Sequence, residues 1–282
     1  MNKYPRQLNT LFPKIFGKGM VLATHRGYGK MGPVAENTIE AFRKSTKAGF
    51  RMHELDVRLS KDGAIVLFHG PKLERTTTGF GKLEKKTFAE LATLDWGYYL
   101  ENSVVNENRN DGIEKKTTKR RKINITTLDE YLKEFGATCI TNIEIKKEWY
   151  MLNRRLENSV MECIKKHKLE KRIIFSSFNV LSMRYIRQKF PEMPVGILKD
   201  KSSPLLPFWA PLLLKMFIKI VKPDSLHLHP KLVRAKRIRK YKEKGYGILV
   251  WKINDKKTYR FMKNVGVDIA VTDNINLIKE LK

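Results

Sequence analysis

The chain has little cysteine and little acid. Its two cysteines, Cys139 and Cys163, form neither a disulfide framework nor a metal motif. Cys139 opens an apolar stretch that reads as a strand, and Cys163 falls in a helical pattern. Both are expected as buried thiols, a usage that suits a reducing compartment. Only 29 Asp and Glu stand against 57 Lys and Arg, for a formal net charge of +28. A surface so short of acid attracts anions such as lipid headgroups, anionic polymers or nucleic acid, although a solvated Lys-rich surface carries the same number. Long apolar runs are also missing. Residues 1–18 are basic and broken by Pro5 and Pro13, with no apolar core and no small-residue cleavage site, so no signal peptide is expected. The most apolar stretch, 204–221, holds three prolines and two lysines and does not make a bilayer span. The expectation is a cytoplasmic protein with, at most, peripheral contact with anionic membrane.

What the chain does have is 282 residues, 41% of them hydrophobic, enough for one large α/β domain or two small ones. Short apolar strands are expected at 20–25, 52–58, 64–69, 139–146, 172–176, 194–198, 224–228, 247–252 and 267–272. Helical patterns lie between most of them, at 37–48, 127–135, 151–167, 179–189, 231–244, 256–264 and 274–281. Repeated βα units imply a parallel sheet, and eight of them close a (β/α)8 TIM barrel. Nine candidate strands are one too many. The suspect pair is 52–58 and 64–69, because Ser60-Lys61-Asp62-Gly63 between them reads as a hairpin turn and not as a crossover. The organisation is therefore an extension over 1–19 and a barrel over 20–282. An insertion over about 70–125 is too long for a βα loop. For 204–221 there are two readings: a buried crossover helix, or an apolar lip that touches lipid through Phe208 and Trp209.

Charge on such apolar strands is expensive, which gives weight to the polar clusters there. Glu54 and Asp56 are two apart on a strand, so both side chains share one face. Glu144, between Ile143 and Ile145, repeats the situation elsewhere. Three inward carboxylates repel unless a cation lies among them, and an oxygen-only set favours one hard divalent ion, Ca²⁺ or Mg²⁺. Ion pairing with Arg or Lys inside the barrel is the plainer alternative. Lys146 follows Glu144 at the same period and offers a point charge to phosphate. Arg26 offers a planar fork to phosphate, or a salt bridge to Glu36, or both. His25 and His69 each end a strand, where barrel active sites lie, and could serve as base and acid across one phosphorus. His53 points away from Glu54. His227 and His229 have no third ligand near them in sequence.

Together these clusters form a kit for metal-assisted attack on a phosphodiester. The order His25-Arg26-Gly27, Glu36-Asn37-Thr38, Glu54-Leu55-Asp56-Val57, Lys61-Asp62-Gly63, His69, Leu73-Glu74-Arg75-Thr76-Thr77, Glu144-Ile145-Lys146, Ser176-Ser177-Phe178, Val250-Trp251-Lys252-Ile253-Asn254 and Gly266-Val267-Asp268 with Thr272-Asp273 resembles the glycerophosphodiester phosphodiesterases from about residue 20 onward. The resemblance implies a phosphodiesterase-type TIM barrel that cleaves glycerophosphodiesters to glycerol 3-phosphate and an alcohol. It implies His25 and His69 as the acid/base pair and Glu54, Asp56 and Glu144 as ligands of Ca²⁺ or Mg²⁺. Arg26 and Lys146 would hold the phosphate, and Trp251 would wall the glycerol moiety; by itself Trp251 reads as ordinary core.

Three departures stand out. The family has Asp after the second histidine where this chain has Gly70, which would loosen His69. The helix entry is Ile125-Thr126-Thr127-Leu128 in place of Ile-Pro-Thr-Leu. The 204–221 stretch is more apolar than a soluble diester needs, which raises a variant reading with a lysophospholipid substrate. The competing reading is a catalytically weak barrel that binds anionic membrane or polymer, with Gly70 as its support. A nucleic-acid binder would use the basic runs 115–122 and 231–244, but these lack interleaved aromatic platforms.

Overall fold

A computed structural model describes residues 5–12, 19–28, 34–97, 122–148, 153–200 and 210–281. Nine strands run in chain order: β1 (Val21–His25), β2 (Met52–Leu59), β3 (Ile65–Leu67), β4 (Ile140–Ile145), β5 (Ile173–Ser177), β6 (Val195–Lys199), β7 (Ser225–Leu228), β8 (Gly247–Trp251) and β9 (Ile269–Thr272). Their order is β1-β9-β8-β7-β6-β5-β4-β2-β3, and a parallel β1–β2 pairing closes the ring. Eight strands thus form a closed parallel barrel. The ninth, β3, pairs antiparallel to β2, with Val57 opposite Leu67 and Leu59 opposite Ile65. The suspect pair is a hairpin, turned by the Ser60 N–H donating to the Ala64 carbonyl at 2.9 Å.

Helices cover the barrel: α2 (Ile39–Ala48), α4 (Leu128–Phe135), α5 (Arg155–Lys166), α6 (Val180–Lys189), α7 (Ala210–Val221), α8 (Ala235–Glu243), α9 (Lys256–Asn264) and α10 (Leu277–Glu280). Their starts are chemically marked. Thr38 accepts the Ala41 N–H at the start of α2, and Thr127 with Glu130 forms a capping box on α4. Thr127 thus sets the helix entry without the usual proline.

Helix α7 is the crossover between β6 and β7. Leu214 and Val221 are buried, and Phe217 and Ile218 pack on the main core. Met216 and Ile220 remain exposed beside Lys215 and Lys219. For 210–221 the crossover-helix reading therefore holds; Phe208 and Trp209 lie outside the described residues.

One feature was not legible in the sequence. Residues 5–12, with the short helix α1 (Leu8–Leu11), plug the barrel floor. Leu8 and Phe12 join Ala23, Met52, Ile140, Ile174, Leu249 and Ile269 in one apolar cluster. Leu8 lies so close to Gly247 that a β-carbon there would meet its Cδ1 at 2.4 Å. Arg6 fixes the plug by pairing with buried Asp224 at 3.1 Å. The insertion, with helix α3 (Phe88–Ala92), carries its own small core of Leu73, Leu83, Leu91 and Trp96 against Phe68 of the rim.

Both cysteines are free, Cys139 buried and Cys163 partly so. His53 faces the helix layer, between Thr46, Tyr131 and Cys139. Burial, aided by Arg51, pushes its pKa down to about 3, and burial alone takes His227 to about 3. Both therefore stay neutral in the fold while their unfolded counterparts protonate near pH 6.5. Stability from these groups is complete above pH 6.5 and is lost as pH falls from there toward 3. At pH 5.5 the loss is about 1.4 kcal/mol per histidine, one pKa unit's worth. The thermal midpoint is expected to fall between pH 7.5 and 5.5, with a smaller fall in His53→Gln; equal falls would remove His53 from the explanation.

Candidate active site

The polar residues converge at the C-terminal ends of the barrel strands, in a cavity of about 210 Å³. His25, Arg26, Glu54, His69, Glu144, Lys146 and Trp251 all line it, and Asp56 lies buried just behind. Every site residue expected from the sequence is thus brought to one place.

The local backbone is built for this. Strand β1 ends at His25, and Arg26 turns into the left-handed region at φ 55°. Its N–H then reaches the Glu54 carbonyl at 2.9 Å and the Glu54 carboxylate at 3.1 Å. Gly27 follows at φ 82°, and a β-carbon there would meet the Ala41 Cβ at 2.9 Å, so only glycine lets α2 pack this close. Asn37 is also left-handed, at φ 58°. Such residues cost about 1 kcal/mol or more each and persist where neighbours hold them. Here the Asn37 amide holds Asp56 at 3.0 Å.

Three carboxylates meet. Glu54, Asp56 and Glu144 each offer an oxygen within 4.8 Å of the others. Arg26 Nε lies 3.0 Å from Asp56 and its Nη1 3.0 Å from Glu36. The salt-bridge expectation for Arg26 therefore holds, and Arg75 pairs with Glu36 from the insertion. Lys146 Nζ bridges Glu144 at 2.6 Å and Asp56 at 3.3 Å. Burial pushes the Asp56 carboxyl up, but Lys146 and Arg26 outweigh it and hold it well below the usual range. Glu54 differs. It is buried, and among the described residues it has no cationic side chain in ion-pair contact. Burial, then the charges of Asp56 and Glu144, push it well above the usual carboxylate range. Glu144 is pushed up by burial as well. A buried carboxylate without a cation, beside two others, is a donor set that fits a hard divalent ion.

The two histidines are held differently. His25 Nδ1 lies 2.5 Å from Asp273 Oδ1, and Lys252 holds the other Asp273 oxygen at 2.7 Å. A carboxylate only accepts, so Nδ1 carries the proton and Nε2 is left as the basic nitrogen. Burial, with Arg26, lowers the His25 pKa to about 4 despite Asp273. His69 Nδ1 is buried with no hydrogen-bond partner. Gly70 offers it no side chain, and Arg75 occupies the adjoining space, 3.5 Å from where a Gly70 β-carbon would stand. Burial lowers the His69 pKa to about 3. Trp251 stands edge-on to Phe178 and His229 at 5.9 Å each, an aromatic wall with its indole Nε1 unpartnered.

Sequence reasoning gave no role to Asp273 or Phe178. Both lie in quoted motifs at strand ends, which was the available signal. His227 turns inward to Ser225 at 2.9 Å, whereas His229 accepts the Lys231 N–H at 3.2 Å, so the two do not form a metal pair.

Residues 25–277 match the model of the glycerophosphoryl diester phosphodiesterase family. A glycerophosphodiester phosphodiesterase of Caldanaerobacter subterraneus subsp. tengcongensis is 31% identical over 268 residues, covering 93% of this chain and 99% of that protein. Among solved structures, a phosphodiesterase of Oleispira antarctica in complex with the product sn-glycerol-3-phosphate superposes with a TM-score of 0.74 at 25% identity, covering 94% of this chain and 98% of that one. A glycerophosphodiester phosphodiesterase of Thermotoga maritima gives 0.68 at 29%, covering 93% and 98%.

Proposed function

Since the chain belongs to the glycerophosphoryl diester phosphodiesterase family, we propose that it hydrolyses glycerophosphodiesters to glycerol 3-phosphate and an alcohol, and that the reaction depends on one divalent cation. The observation that carries the reading is the meeting of Glu54, Asp56 and Glu144 at the floor of the cavity lined by both histidines. Glu54, Asp56 and Glu144 would hold Ca²⁺ or Mg²⁺, which when bound supplies charge stabilisation to the phosphoryl oxygens. Arg26 and Lys146 bind the remaining phosphate charge. Arg26 is already oriented by Glu36 and Asp56, so little entropy is lost when it binds. His25, held by Asp273, takes the proton of the attacking hydroxyl at Nε2, whether that hydroxyl is water or the glycerol 2-hydroxyl. His69 returns a proton to the leaving alcohol once the anionic phosphate beside it favours its charged form against the burial that holds it neutral. Trp251 and Phe178 pack on the glycerol backbone, and the Trp251 Nε1–H is available to a hydroxyl. Purified protein given glycerophosphocholine, glycerophosphoethanolamine and glycerophosphoglycerol should release glycerol 3-phosphate; no release from any of them would refute the reading. The alternative of a binding module without catalysis rests on Gly70 alone, and a complete set of chemical groups stands against it.

A second reading keeps this chemistry on a lysophospholipid at an anionic membrane. No helix among the described residues is long and apolar enough to cross a membrane. Met216 at 44% and Ile220 at 37% exposure nonetheless form an apolar edge between lysines on α7. A surface this basic favours anionic bilayers. Met216→Ser/Ile220→Ser is expected to reduce co-sedimentation with phosphatidylglycerol vesicles several-fold at low salt; binding equal to wild type would remove this edge from any membrane contact.

A further inference from the structure

Glu54 and Asp56 are followed on the same face of β2 by Arg58. Arg58 is 8% exposed, yet among the described residues it has no carboxylate in ion-pair contact. Among the described residues its guanidinium donates to the His69 carbonyl alone, at 3.3 and 3.4 Å. A buried cation with so few partners is expensive unless something else meets it. It lines a second cavity, of about 200 Å³, at the same rim. Lys61, Lys85, Lys147 and Arg155 line that cavity too, against Glu84 as its one described carboxylate. Lys147 is engaged by Glu157 at 3.0 Å, whereas Lys61, Lys85 and Arg155 have no ion pair among the described residues. Lys146 borders both this cavity and the catalytic one, so the two adjoin across a single side chain.

We propose that the cavity around Arg58 is a second phosphate subsite, and that the enzyme prefers substrates carrying more than one phosphate. The inference rests on the phosphodiesterase reading and extends it. The scissile diester lies at Arg26 and Lys146, and the neighbouring phosphate of the same molecule lies at Arg58. Arg58 supplies a planar fork of donors, and Lys61 and Arg155 add charge at the mouth. One charge-assisted contact network of this kind is worth about a tenfold gain in affinity or more.

The test compares glycerophosphoglycerol, which has one phosphate, with its homologue holding two successive phosphodiester linkages. Wild type should show kcat/KM about tenfold higher on the two-phosphate compound, carried by KM. Lys61→Gln/Arg155→Gln should abolish that preference and keep wild-type kcat/KM on the one-phosphate compound. Equal loss on both compounds indicates general attraction by a basic surface and overturns the proposal, as does a wild type without preference. Inorganic phosphate and phosphatidylglycerol vesicles form separate arms. Binding to either that is sensitive to the double variant, with no preference between the two substrates, assigns the cavity to free phosphate or to a lipid headgroup and overturns the substrate role. If wild type hydrolyses neither compound, the phosphodiesterase reading has failed. Calorimetry then decides the subsite: tighter binding of the two-phosphate compound, lost in the double variant, supports it, and equal binding overturns it.

Discussion

Alanine at His25 is expected to slow turnover by roughly 10²–10⁴ and to leave the fold intact, because the lost group moves a proton and Lys252 still pairs with Asp273. Alanine at His69 should act on the same scale. The two differ in what holds them, and that difference can be measured. His25 depends on Asp273 at 2.5 Å for its tautomer. In Asp273→Asn the amide can donate to Nδ1, which moves the ring proton to Nε2 and removes the base without removing the ring. Turnover should therefore fall by roughly 10² or more with KM little changed. His69 has no such partner at Nδ1, so no single neighbour substitution should reproduce its loss. Near-normal turnover in either histidine variant takes that residue out of the mechanism.

The second large effect concerns Glu54. Glu54→Gln keeps the shape and the hydrogen bond from the Arg26 N–H but removes the charge that has no cationic partner. Turnover is expected to drop by roughly 10² or more, with divalent-ion affinity falling 10-fold or more. Stability without added metal should rise or stay level, because a buried carboxylate pushed up by burial and by two like charges is relieved. A merely structural Glu54 predicts the reverse, a lower thermal midpoint and unchanged metal affinity. The sign of the stability change separates the two roles.

Much of this site was legible in the sequence because a strand's period of two is strict. Glu54 with Asp56, and Glu144 with Lys146, had to share faces once they lay on or beside strands, and strand ends had to gather at one rim. The barrel followed from the βα rhythm, and Ser60-Lys61-Asp62-Gly63 marked the pair that holds the strand outside it. What stayed hidden came from long-range placement. Asp273 lies 248 residues from His25, and no local period links them. Arg58 continues the Glu54–Asp56 row but reads as an ordinary surface arginine until β2 is seen to run on past the barrel into the hairpin with β3. Leu8 and Phe12 are too few to give a helical period, so their role as a floor plug appears only when the barrel is closed. The consequence of Gly70 was half visible. The missing carboxylate was plain in the sequence, but that Arg75 would stand beside the gap and pair with Glu36 depends on how the insertion folds back.

One titration tests whether Glu54, Asp56 and Glu144 make this family member a divalent-cation-dependent phosphodiesterase. Protein stripped with a chelator and verified metal-free by elemental analysis is assayed on glycerophosphoglycerol while Ca²⁺ or Mg²⁺ is added back. Turnover should start at least about 10³-fold below the loaded enzyme, be restored with a stoichiometry of one ion per chain, and not be restored in Glu54→Gln. Full turnover by the metal-free protein would contradict that dependence.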